Sequence, residues 1–152
     1  MKYYIYLLLP FSLVLSNCTK TCDSDLHTLG TELKQVLVSK SWVFDEIRTN
    51  IAQNEYYYKR GASGNTVDYD DFVIKFNADN SGYIFDGSDT TDMQLNFDPN
   101  NPYKLTFKVL QPGGTLDITW SDLIIKQDQL NYTEYYKKSG LLLFSTVKLT
   151  PQ

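Results

Sequence analysis

The chain carries one histidine and two cysteines in 152 residues, and that scarcity closes off most side-chain chemistry. His27 has nothing around it that pairs it to a nucleophile, so solvent exposure is expected for it. Cys18 and Cys22 have no histidine pair nearby to complete a zinc shell. The stretch GASG, Gly61 to Gly64, lacks the Gly-x-Ser-x-Gly spacing of a nucleophile elbow. Asp70 and Asp71 are adjacent, and adjacent side chains on a strand point to opposite faces, so they cannot share a substrate proton. No catalytic residue, metal site or cofactor is assigned, and an enzyme is not expected.

Positive charge is also in short supply. Lys and Arg number 14 against 18 Asp and Glu, a formal net charge of −4, which makes nucleic acid a poor partner. Between Asp68 and Asp98 the carboxylates Asp68, Asp70, Asp71, Asp79, Asp86, Asp89, Asp92 and Asp98 face Lys75 alone, whereas Lys126, Lys137, Lys138 and Lys148 make the C-terminal part basic. The acidic stretch reads as solvated strand faces and turns. Its nearest approach to a calcium loop is NADNSG, beginning at Asn77, but the twelfth position, where a bidentate Glu belongs, is Ser88. A turn is expected there.

Long apolar runs are missing as well. The N-terminal MKYYIYLLLPFSLVLS has an uncharged core of roughly 13 residues behind Lys2, against the about 20 that a spanning helix needs, and Pro10 interrupts it. This is the form of a short secretory signal. Directly behind it, Leu15, Ser16, Asn17 and Cys18 resemble the lipobox of bacterial lipoproteins. That resemblance implies removal of residues 1–17, a diacylglyceryl group on the Cys18 sulfur and usually a further acyl chain on its freed amine. Two or more chains hold a protein stably on a bilayer where one does so only marginally. Val14 and Ser16 also suit an ordinary signal peptidase, after which Cys18 and Cys22 could close a small disulfide loop in an oxidising compartment. With Cys18 acylated, Cys22 is an unpaired tether residue or the site of an intermolecular disulfide.

Residues 18–152 suffice for one domain with a single core. In DSDLHTLGTELKQVLVSK the residues Leu26, Leu29, Leu33, Val36 and Leu37 recur at helical spacing, giving a short helix or tether over 18–36 that packs one side on the domain. From 37 to 152 the apolar residues alternate instead, as on strands with one face buried. Trp42 and Phe44 share a face, as do Phe72, Ile74 and Phe76; Met93, Leu95 and Phe97; Tyr103, Leu105, Phe107 and Val109; and Leu116, Ile118 and Trp120. LIIKQ, LNYTEYY and LLLFSTVKL follow, the last with apolar residues on both faces. Turn chemistry separates the runs in NADNSG, DGSD, DPNNP, QPGG, KQDQ and KKSG. About eight to ten strands joined by connections too short for crossovers predict an all-β fold, an antiparallel up-and-down barrel that leaves no unpaired edges.

LVSKSW, Leu37 to Trp42, is similar to the Leu-x-Gly-Lys-x-Trp opening of bacterial lipocalin-like lipoproteins, and FNADNSGYIF resembles the Phe-x-x-Asp-Gly-x-Gly hairpin of such domains, with Ser39 and Asn80 standing where that family has glycines. The resemblance implies a calycin-type barrel whose closed end Trp42 plugs. It also implies an outer-membrane lipoprotein of the cell envelope, facing the periplasm or the surface, most simply a monomer. A small apolar or amphipathic ligand would be lined by Phe107, Trp120, Tyr132 and Tyr136. Glu134, between two tyrosines on what reads as an inward face, could orient a polar ligand group. The polar stretch from Thr49 to Asp70 offers Tyr56, Tyr57 and Tyr58 either as part of a lid over the barrel mouth or as a further strand with Tyr57 inside. The alternative to a ligand carrier is a barrel with a solid core that serves as an interaction module of the envelope.

Overall fold

A computed structural model describes residues 22–51, 54–126, 128–138 and 140–152; Cys18 and the signal segment lie outside the described residues. A helix, α1 (Cys22–Ser39), precedes nine strands: β1 (Ser41–Ile51), β2 (Asn54–Lys59), β3 (Val73–Phe76), β4 (Ser81–Phe85), β5 (Thr90–Phe97), β6 (Leu105–Gln111), β7 (Gly114–Lys126), β8 (Gln129–Lys138) and β9 (Leu141–Pro151). From β3 to β9 each strand pairs antiparallel with the next, and β1 joins β3 on one edge to β9 on the other. Eight strands therefore close an up-and-down barrel, as the alternating pattern leads one to expect. The ninth, β2, continues the edge of β1 beyond β3: Glu46 to Ile51 pair with β2, whereas Ser41 to Val43 pair with β3.

Two bulges set which side chains enter the barrel. In β1 the register against β9 shifts between Phe44 and Glu46. Strict alternation from Trp42 and Phe44 would carry Glu46 inward; the extra residue sends Ile47 inward instead and turns Glu46 to the outer face, in register with Lys148. In β7 the register shifts between Ser121 and Ile124, with Asp122 in the left-handed region at φ 55°. Ile118 and Trp120 point inward before that bulge and Leu123 after it, while Ile124 is exposed.

The helix closes one end. Leu33 and Leu37 join the core, and Trp42, fully buried, donates its indole N–H to the Leu37 carbonyl at 3.0 Å. Carbonyls in the last turn of a helix have no partner within it. Here Leu37 is served by Trp42, Val36 by the Ser39 hydroxyl at 2.8 Å and Val38 by Lys75 at 3.5 Å. These partners carry the helix to Ser39, three residues past the 36/37 boundary expected from the sequence. Asn80 makes the second tie. It occupies the left-handed region at φ 66° in the β3–β4 turn, a conformation that Asn adopts more readily than most residues, and its Oδ1 accepts from Lys34 of α1 at 2.6 Å. Gly82, two residues on, faces inward where a Cβ would come within 2.5 Å of the Lys75 carbonyl oxygen.

Tyr103 departs from the expected pattern. Alternation through YKLTFKV puts it inside, but it is 49% exposed and precedes β6. The reason is turn chemistry: Asp98 accepts from the Asn100 N–H and Asn101 from the Tyr103 N–H, so the chain is still turning at Tyr103.

Replacing Trp42 with Phe removes the donor to Leu37 and part of the volume that fills the closed end. A loss of about 2–4 kcal/mol in urea unfolding is expected, and a variant within about 0.5 kcal/mol of wild type would show that the helix does not depend on this indole.

Candidate functional site

Four in-register positions on consecutive strands form one level of the barrel interior. Trp120 of β7 faces Glu134 of β8, Glu134 faces Ser145 of β9, and Ser145 faces Thr49 of β1. The indole N–H of Trp120 donates to Glu134 Oε2 at 2.8 Å, and the Thr49 and Ser145 hydroxyls bond to one another at 2.6 Å. A polar band thus crosses a lining that is otherwise apolar.

Towards the helix, aromatic rings fill the barrel. Tyr132 stacks on Trp120 with centroids 3.9 Å apart and planes at 23°. Phe107 and Phe76 meet the same indole edge-on at 5.1 and 5.7 Å. Such pairs add about 0.5–1.5 kcal/mol each beyond the area they bury. Tyr132 is only 4% exposed, yet among the described residues its hydroxyl has no hydrogen-bond partner. A buried group left in that state costs about 1–3 kcal/mol.

Away from the helix several inward-facing side chains are less deeply buried. Glu134 and Tyr136 face inward but are only half-buried, as is Tyr69, which enters from the segment between β2 and β3 and packs edge-on against Tyr58 and Phe72. Burial holds the Glu134 carboxyl above its ordinary value, opposed by the bond from Trp120. The hydroxyls of Tyr132, Tyr69 and Tyr136 are also raised, first by burial and then by the charge of Glu134, which brings all three into its field.

Of the residues singled out from the sequence, Phe107, Trp120, Tyr132, Glu134 and Tyr136 come together on the inner wall of β6, β7 and β8. Tyr57 does not join them. It lies on the outward face of β2 with the Arg48 guanidinium 4.8 Å from its ring, in register with Arg48. The inward residue is Tyr58, fully buried and donating to Asp70 Oδ1 at 2.6 Å. One residue decides the face because β2 takes its phase from β1, already shifted by the bulge before Glu46. Thr49 escaped the sequence pattern for the same reason. Ser145 was legible as the polar residue between Leu143 and Val147 on an alternating strand, and Tyr69 carried no local signal.

The segment 60–72 is tied to the wall. Asn65 and Thr66 pair with the free edge of β2: Lys59 N–H donates to Asn65 Oδ1 and Tyr57 N–H to the Thr66 hydroxyl, each at 2.8 Å, and Asn65 Nδ2 and Thr66 N–H donate back to the Lys59 and Tyr57 carbonyls. Asp70 and Asp71 lie in a turn, with Asp70 engaged by Tyr58 and Asp71 beside Gly87. Among the described residues no group of three or more His, Cys, Asp and Glu side chains could hold a metal ion.

No family model matches the chain, and neither a curated protein nor a solved structure matches it.

Tyr132→Phe deletes a hydroxyl that has no partner among the described residues, so the ligand-free variant should be as stable as wild type or gain up to about 1 kcal/mol. A loss above about 1 kcal/mol in urea unfolding would mean that the hydroxyl has a partner. The two carboxylates of the wall act oppositely with pH. Glu134, raised, contributes stability that is full below its ordinary value near 4.5 and is lost as pH rises through its folded value. Glu46, lowered by its bonds from Lys148 and Arg48, contributes stability present above 4.5 and lost as pH falls through its folded value. Glu134→Gln should gain on wild type as pH rises, and Glu46→Gln should fall behind over the acid-to-neutral range. Parallel stability curves for both variants and wild type between pH 3 and 8 would contradict this assignment.

Proposed function

We propose that this chain is a lipocalin-like lipoprotein of the bacterial cell envelope, held on the outer membrane through acylated Cys18, and that its barrel receives a small amphipathic ligand. The single observation that supports this reading is the Tyr132 hydroxyl, buried within the aromatic packing and without a partner among the described residues, two positions along β8 from the half-buried Glu134. Polar groups in a folded interior are nearly always paired, and an exception asks for an explanation such as an absent bound molecule. The apolar part of the ligand would lie against Tyr136, Ile118 and Leu143, in register with one another around the wall, and its polar group would reach the level of Glu134. Ligand sites of this kind combine an apolar lining with a few placed polar groups. The anchor rests on the lipobox resemblance at Leu15 to Cys18.

A second reading rests on the outer wall. Leu142 is 72% and Phe144 50% exposed on the outer face of β9, with Tyr135 of β8 stacked on Phe144. Exposed apolar side chains grouped on one sheet face are a candidate interaction surface. In that case the aromatic interior serves as rigid support and the protein is an interaction module of the envelope.

Native mass spectrometry of the protein released from its own host membranes examines both halves of the first reading. A diacyl or triacyl mass on Cys18, abolished by Cys18→Ser, and a co-purifying small molecule are expected. An unmodified Cys18 defeats the anchor; a ligand-free barrel that crosslinks in intact cells through the β9 ridge, with no probe quenching its tryptophans, favours the interaction module.

A further inference from the structure

Two exposed apolar side chains meet at the helix end of the barrel, and separate irregularities put them there. Asn101 captures the Tyr103 N–H, which keeps Tyr103 outside β6, and the bulge in β7 turns Ile124 outward. The Leu123 N–H donates to the Tyr103 carbonyl at 3.1 Å, so the β5–β6 connection is fastened to the bulge and the two side chains flank one groove against α1. Leu33, Val36, Pro102 and Leu123 line the rest of it. The contact with α1 fixes which surface the groove can reach. From Leu33 back to Cys22 the helix is about 16 Å long, and Cys18 is four residues further, at most about 14 Å of extended chain. Leu142 and Phe144 lie towards the opposite end of the strands, roughly 30 Å away for the 11 residues of β9.

Resting on the Cys18 anchor proposed above, we propose that the helix end of the barrel lies on the bilayer, with Tyr103 and Ile124 entering the lipid interface and phospholipid filling the groove between them and α1. A tyrosine suits that position, its ring at the acyl boundary and its hydroxyl among the headgroups. The groove is lined by eight residues, whereas each side of a stable protein interface takes about 20–30, so a second copy of the chain is poorly matched to it. A bilayer needs less, because the anchor already holds the protein at the surface and the contact has only to set its orientation. The charges around the groove are mixed: Glu32 lines it, and Lys126 stands exposed beside Ile125. The attraction is therefore apolar, and added salt should leave it in place. This posture turns the β6–β7 and β8–β9 hairpins, with Leu142 and Phe144, toward the aqueous phase, where a soluble partner can reach them.

The test places the acylated protein, purified from its host membranes, on vesicles of phosphatidylethanolamine and phosphatidylglycerol and reads hydroxyl-radical labelling by mass spectrometry; Cys18→Ser in solution gives the reference rates. On vesicles Tyr103 and Ile124 should be labelled several-fold more slowly than in the reference, at low and high salt alike, while Leu142 and Phe144 keep their reference rates. Lys126 should be shielded from a membrane-impermeant amine reagent. The double variant Tyr103→Ser, Ile124→Ser should stay on the vesicles and lose that shielding. Reference-rate labelling of Tyr103 and Ile124 in protein that sediments with the vesicles overturns the bilayer contact and leaves the anchor standing. Protection of Leu142 and Phe144 in their place, or shielding of Lys126 that survives the double substitution, does the same. Protection that appears in Cys18→Ser alone as its concentration rises identifies a second copy as the occupant and also overturns the contact. An unmodified Cys18, with no protein on the vesicles, overturns the anchor and the contact together.

Discussion

Closure of the sheet through β1 is the constraint on which the rest of the molecule depends. β1 spends one edge on β9 from Trp42 to Thr49 and divides the other between β3 and β2. Without that double engagement the meander would end in two open edges, each a row of unpaired N–H and C=O groups. With it, the interior becomes a fixed space whose walls cannot slide, because a slip of one residue on any strand would exchange its inward and outward side chains. The stack of Trp120, Tyr132, Phe107 and Phe76 is a consequence: four rings can meet at 3.9 to 5.7 Å only when β3, β6, β7 and β8 are held at set distances across the barrel.

The same closure gives the barrel two unlike ends. At the helix end every feature consumes polar groups: the Trp42 indole, the Ser39 hydroxyl and the Lys75 ammonium take helix carbonyls, and Lys34 bonds to Asn80. At the other end polar groups are presented and incompletely used. Glu46 and Glu134 show the contrast within one wall. Glu46 lies on the outer face between Arg48 and Lys148 at 2.8 and 2.7 Å, and its charge is favoured. Glu134 lies on the inner face with a single neutral donor, and its charge is disfavoured. Two carboxylates on neighbouring parts of one sheet thus differ in readiness to hold a proton because of the face each one occupies.

Much of this fold was legible because alternation is a direct imprint of the pleat. Ile74, Phe76, Met93, Leu95, Phe107, Ile118, Trp120 and Tyr132 all sit inside as their spacing requires. What escaped has two physical causes. Bulges break the count: beyond the one before Glu46 a reader of sequence loses the phase of β1, and with it Thr49 and the choice between Tyr57 and Tyr58. Turns built by side chains also erode strands from their ends, as at Tyr103, where Asn101 captures a backbone N–H that a ladder would otherwise use. Tyr69 belongs to neither class. Its position depends on where a 60–72 excursion returns to the barrel, and no periodicity within the segment records that.

That excursion explains why an apparently lid-like polar stretch is held against the wall. Among the described residues β2 has a partner strand on one side only, and its outer edge would be an exposed ladder. The Asn65 amide meets the Lys59 N–H and C=O with one acceptor and one donor, reproducing with a side chain the exchange that a neighbouring strand makes with its backbone, and Thr66 does the same at Tyr57. Arg60 then fastens the start of the excursion to the Phe44 carbonyl, and the Tyr58–Asp70 bond fastens its end. Anchored at both ends, the segment can deliver Tyr69 into the interior beside Phe44 and Tyr58 and into the field of Glu134. Protection of a sheet edge and placement of an aromatic group at the open side of the barrel are therefore achieved by the same few hydrogen bonds, and loosening one loosens the other.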